Sequence, residues 1–83
     1  MTITLKLYAS LSAYLPADAQ NHSVEINLAE GSTPLDVLER FQVPPQIAHL
    51  LLINGVYLEP ERRASYALAA GDSMAVWPAV AGG

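Results

Sequence analysis

The stretch Leu50-Leu51-Leu52-Ile53-Asn54-Gly55-Val56-Tyr57-Leu58 restricts the fold of this chain more than any other. Two short β-prone runs flank Asn-Gly, the dipeptide that accepts positive φ at both central positions of a type I′ turn, so the spacing predicts a β-hairpin.

Two further strands are written by alternation. Met1, Ile3, Leu5 and Leu7 alternate with Thr2, Thr4 and Lys6, and Val24, Ile26 and Leu28 alternate with Ser23, Glu25 and Asn27. A period of two means one buried face. A last strand is expected over Ser73–Trp77, fed by the turn Ala70-Gly71-Asp72, with Met74 and Val76 facing one way. Between the first two strands, residues 9–21 carry Leu11, Tyr14 and Leu15 at helix-like spacing before Pro16, which predicts one helical turn plugging the end of the core.

A helix is expected over residues 34–41. Thr33 can cap it, Pro34 is pre-set for the first helical position, and Asp36 suits the positive end of the helix dipole. Leu35, Leu38 and Phe41 then share one face, and Pro44-Pro45 stops the run. Residues 59–67 read as polar and irregular. The order strand, strand, helix, two short strands, final strand is that of an α+β β-grasp, a mixed sheet with one main helix across it.

With 83 residues the chain is expected to form a single domain, 1–83, ending in a flexible tail over 78–83. Apolar residues make up 52% and charged residues 14%, which is too apolar for a disordered chain. Lys6, Arg40, Arg62 and Arg63 are the only basic residues against eight acids, so no basic stripe is available for phosphates and nucleic acid is not an expected partner. No apolar run is long enough to span a bilayer, and no basic region followed by an apolar run opens the chain, so no membrane is expected and a cytoplasmic location is.

Chemistry-bearing side chains are sparse. His22 and His49 lie far apart with no cysteine in the chain, so no metal site is expected. The carboxylates are scattered, and no serine stands in a nucleophile-elbow or phosphate-loop context. The chain is not expected to be an enzyme on its own, nor to bind a cofactor.

Two surfaces remain. Tyr8 has the opposite parity to Leu5 and Leu7, and Trp77 the opposite parity to Met74 and Val76, so both aromatics should point away from the helix. Tyr57 joins them if its short strand lies alongside, and with Pro78 they form an expected partner-binding patch. The plain alternative is that aromatics populate strands in any case.

The second surface is the end, Pro78-Ala79-Val80-Ala81-Gly82-Gly83. Glycine has no Cβ, so Gly82 and Gly83, preceded by Val80 and Ala81, can thread a channel too narrow for larger side chains. An unhindered glycine carboxylate can be activated as an acyl-adenylate and attacked by a sulfur nucleophile, giving a thiocarboxylate. With no thiol in the chain, any sulfur it handles rides on Gly83.

The residues Leu51-Leu52-Ile53-Asn54-Gly55, then Leu68, then 70–83 up to the terminal Gly-Gly, resemble the C-terminal half of the MoaD/ThiS family of ubiquitin-like sulfur carrier proteins. The resemblance implies an E1-like adenylating enzyme that uses ATP on Gly83. It also implies an acceptor which, in the MoaD branch, is the large subunit of molybdopterin synthase in molybdenum cofactor biosynthesis. The length and the aromatic-Pro-x-Val-x-Gly-Gly tail favour that branch. A ThiS-like carrier for thiamin thiazole or another sulfur-transfer pathway, a ubiquitin-like protein modifier, and a plain interaction module stay open.

Overall fold

A computed structural model describes residues 1–79. Five strands, β1 (Thr2–Leu7), β2 (Ser23–Asn27), β3 (Leu50–Ile53), β4 (Val56–Tyr57) and β5 (Ser73–Trp77), form one sheet in the order β2-β1-β5-β3-β4. β1 pairs with β2 antiparallel and with β5 parallel, while β3 pairs with β4 and β5 antiparallel. The first and last strands are therefore central neighbours. The helix α1 (Pro34–Arg40) is the only α-helix among the described residues. The expected α+β, ubiquitin-like β-grasp architecture is the one found.

The expected hairpin closes on Asn54 (φ 52°) and Gly55 (φ 82°), as a type I′ turn requires. A second turn of the same kind was not legible. Asn21 (φ 53°) and His22 (φ 63°) reverse the chain between Gln20 and Ser23, whose backbones exchange hydrogen bonds of 3.0 and 2.9 Å. No glycine marks it, and Asn and His tolerate the left-handed region better than most residues.

α1 carries a reciprocal cap. The Asp36 amide donates to Thr33 Oγ1 at 3.2 Å, and the Thr33 amide donates to Asp36 Oδ2 at 2.9 Å, which satisfies two of the free donors at the helix start. Its buried stripe is Pro34, Val37 and Leu38. Leu35 and Phe41, expected to share the face with Leu38, are only partly buried. Burying Pro34 rolls the stripe onto positions 34, 37 and 38, and Leu35 falls to its flank.

Ile3, Leu5, Leu7, Ile26, Leu51, Ile53, Met74 and Val76 meet α1's stripe from the inner face of the sheet, and Leu11, Val43, Leu58 and Leu68 close the periphery. Leu11 is fully buried from a 3-10 turn over Ala9–Tyr14, so the expected plug is present. The polar stretch 59–67 holds one buried residue, Arg63, only 5% exposed in the core's rim, and Tyr66 packs partly buried against the core.

Candidate functional site

Alternation sends every second residue of the sheet to the outer face. The registers Lys6↔Ala75, Leu52↔Ala75 and Leu52↔Tyr57 put those four residues in one row across β1, β5, β3 and β4. Leu50↔Trp77 starts the next row, which Tyr8 extends past the end of β1 through a 3.1 Å bond from its amide to the Val76 carbonyl. At the opposite end of the same face, Thr2 Oγ1 donates to Asn27 Oδ1 at 2.7 Å, with Thr4, Glu25 and Ser73 nearby in register. The face is thus split. Its apolar half lies at the C-terminal end of β5, where the chain leaves the sheet through Pro78 and Ala79.

Tyr8 and Trp77 stack with ring centroids 4.6 Å apart and planes 7° from parallel. The His22 ring continues the stack against Tyr8, at 5.6 Å and 30°. An offset or parallel aromatic pair contributes about 0.5–1.5 kcal/mol beyond the area it buries, and this pair is fixed by backbone bonds on both sides. The Tyr8 amide is held by β5, and the His49 amide donates to the Trp77 carbonyl at 3.0 Å. His22 was not expected here, and its only sequence signal was the unrecognised Asn21-His22 turn.

Tyr57 does not join the stack. It lies on the same face, 49% exposed, but β3 intervenes and places it two strands, or about 10 Å, from β5. Leu50 and Leu52 fill the space between, so the apolar half is continuous although the three aromatics are not adjacent.

Beside Trp77 opens a groove of about 500 Å³ lined by Ala9, Ser10, His49, Leu50, Trp77, Pro78 and Ala79. The 3-10 turn after β1 forms one wall, helped by Ala9, whose φ of 53° turns the chain sharply off the sheet. Arg63 supports the other wall from below. Its Nη1 donates to the Ala48 carbonyl at 2.7 Å and its Nη2 to the His49 carbonyl at 3.3 Å. Among the described residues no carboxylate pairs with it, and its buried Nε has no acceptor. Burial pushes the guanidinium below its usual proton affinity, opposed by the nearness of Tyr57 and Glu61.

At the far end of β5, Asp72 organises the entry. Its Oδ1 accepts from Asn54 Nδ2 at 2.8 Å and its Oδ2 from the Ala69 amide at 2.8 Å, while Asn54 Oδ1 accepts from the Ser73 amide at 2.8 Å. The hairpin turn and the start of β5 are thereby one unit. Asp72 and Gly71 have structural work that accounts for them fully.

Of the expected site residues, the structure brings together Tyr8, Trp77 and Pro78 and leaves Tyr57 across the face. Val80, Ala81, Gly82 and Gly83 lie outside the described residues. Among the described residues no three His, Asp or Glu side chains gather as metal ligands, and no helix is long and apolar enough to cross a membrane.

Comparison with known proteins bears on the fold. The SAMP1 protein of Haloferax volcanii is 24% identical, with all of both chains covered and a TM-score of 0.70. A second H. volcanii protein, solved in solution, is 23% identical over all of this chain and 87% of its own, with a TM-score of 0.76. A Pyrococcus furiosus structure named for molybdopterin converting factor, subunit 1, is 20% identical over 95% of this chain and 98% of its own, with a TM-score of 0.63. These share the fold, as the expected resemblance to MoaD-like carriers required. No curated protein matches the chain. The family model described as Mut7-C ubiquitin aligns with residues 1–82, nearly the whole length, and the chain belongs to that ubiquitin-like family.

Proposed function

We propose that this domain is a sulfur carrier whose Gly83 carboxylate is adenylated by an E1-like enzyme and then converted to a thiocarboxylate. In the first step the carboxylate attacks the α-phosphate of ATP and releases pyrophosphate. In the second, hydrosulfide supplied by another protein attacks the acyl carbon, displaces AMP and leaves the thiocarboxylate. The acceptor is the large subunit of molybdopterin synthase, and the setting is the cytoplasm, where ATP is at hand. The domain contributes no catalytic side chain. Its part is to be recognised and to deliver a terminus.

One observation carries this reading: the apolar half of the outer face, with the Tyr8–Trp77 stack at its centre, lies at the end of β5 from which Pro78 and Ala79 depart. A partner docked on that half stands beside the segment that leads to Gly82 and Gly83. Docking through aromatics and threading of a slender end are then one event. The likeness to a structure named for molybdopterin converting factor supports the choice of acceptor.

The SAMP1 neighbour, which a second crystal structure names small archaeal modifier protein 1, favours a second reading. In it the activated Gly83 forms an isopeptide bond with lysines of target proteins. Intact-mass spectrometry of the protein recovered from its native host separates the two. A carrier gains the mass difference between sulfur and oxygen, whereas a modifier appears in covalent adducts. A chain ending at Gly82 is expected to lose adenylation. A native chain that continues past Gly83 without being processed, or a Gly82-ended chain that is still activated, refutes both readings.

A further inference from the structure

The outer face carries one cation that the domain does not engage. Of the four basic residues, three are engaged within the domain. Arg40 Nη1 donates to the Asn27 carbonyl at 2.6 Å, Arg62 lies 4.0 Å from Glu59 and over the Tyr66 ring, and Arg63 is buried against two carbonyls. Lys6 alone makes no hydrogen bond or ion pair among the described residues. It is also the only lysine in the chain.

Its position is not peripheral. Lys6 sits in β1 between Ser23 of β2 and Ala75 of β5, and shares the outward parity of Tyr8 two residues on. It therefore stands where the apolar half of the face meets the polar half. The nearest acid in register, Glu25, lies opposite Thr4 and makes no ion pair with it. In a chain of net charge −4, the one uncompensated cation of this face has been placed at the border of its apolar half.

We propose that Lys6 is the charged recognition point of the docking face, and that the activating enzyme meets it with a carboxylate. The inference deepens the carrier reading and rests on it. An apolar patch alone is weakly directional, because burial is proportional to area and indifferent to orientation. One cation at its edge fixes register, since the ammonium loses water on docking and an unpaired charge in that position is costly. A partner with an apolar surface of the right shape but no acid at this point is rejected. The flexible stem lets the charge reach past the sheet while its methylenes stay against the apolar side.

The test uses ATP–pyrophosphate exchange by the host's E1-like enzyme, with the full-length chain as substrate. Lys6 points outward from the sheet, so Lys6→Met leaves the core intact, which a melting curve checks. Lys6→Met is expected to raise KM for the chain about tenfold with little change in kcat, to make KM much less sensitive to salt, and Lys6→Arg is expected to recover most of the loss. A KM for a folded Lys6→Met chain within about twofold of wild type overturns the assignment of Lys6 and leaves the carrier reading standing. Absence of exchange with the wild-type chain strikes the carrier reading itself, and Lys6 with it.

Discussion

Arg63→Met replaces a buried cation by an apolar side chain of similar reach, and its outcome depends on which of two opposed effects is larger. The change removes a short, charge-assisted bond to the Ala48 carbonyl and a longer one to the His49 carbonyl. The first contributes about 1.5–3 kcal/mol and the second less, and the carbonyl of Ala48, a residue 2% exposed, is then left without its donor. Against this, the change relieves the desolvation of a guanidinium whose Nε is buried and unpartnered. Burial is the largest influence on this group's proton affinity, so the charge itself is a cost, and the two carbonyls are what retain it. The balance is a net loss of about 2 kcal/mol, or roughly 8–16 °C in Tm for a domain of this size. Urea unfolding and calorimetry measure it. Trp77, the only tryptophan, adds a local readout, because the His49 amide donates to the Trp77 carbonyl and slackening of residues 48–49 alters the indole's surroundings. An Arg63→Met chain as stable as wild type, with unchanged fluorescence, would refute the claim that Arg63 clamps the wall of the groove.

Two other changes test separate parts. Tyr8→Ala removes one ring of the stack at the centre of the apolar half. It is expected to cost about 1 kcal/mol of stability yet to weaken binding to the activating enzyme about thirtyfold, measured by calorimetric titration, and equal small effects on both would deny the stack a docking role. Asp72→Ala leaves the Asn54 amide and the Ala69 amide without their acceptor and is expected to lower stability by about 2–4 kcal/mol in urea; a loss below about 0.5 kcal/mol would mean that the hairpin and β5 are not tied through this carboxylate.

The fold was readable where local chemistry and tertiary packing ask for the same thing. Alternation in 2–7 and 23–27, Asn54-Gly55, and Thr33-Pro34 each have one local solution, and packing ratified it. What was hidden falls into two kinds. Asn21-His22 makes the same turn as Asn54-Gly55 without glycine, because its left-handed strain of about 1–2 kcal/mol per residue is offset by contacts absent from the sequence string, including the His22 ring against Tyr8. Arg63 was hidden because burial of a lone cation depends on two carbonyls fifteen and fourteen residues away, and no periodicity encodes that. The candidate site divided in the same manner. Parity predicted that Tyr8, Trp77 and Tyr57 share a face, but parity does not give strand order, and it is strand order that stacks the first two and carries the third to the edge.

Strand order also explains why the apolar half of the outer face and the departure of Pro78 fall on one end of this domain. Because β5 lies between β1 and β3, its outward residues are flanked on both sides, and the last of them, Trp77, is held by Tyr8 from one neighbour and Leu50 from the other. A terminal strand at the edge of the sheet would leave its last side chain with support on one side only, and the chain would depart from a frayed margin. Placing the last strand centrally ties the departure point to a neighbouring strand on each side. The distance from the Tyr8–Trp77 stack to Pro78 is therefore fixed by the β5 ladder, and in the proposed carrier the residues beyond Ala79 would span what remains to the partner's reaction centre. That short reach keeps the entropy cost of delivery small. It also predicts that lengthening the chain between Ala79 and Gly83 by glycine insertions impairs activation through kcat, since the patch still docks but the carboxylate overshoots, whereas a loss confined to KM would place the recognition elsewhere.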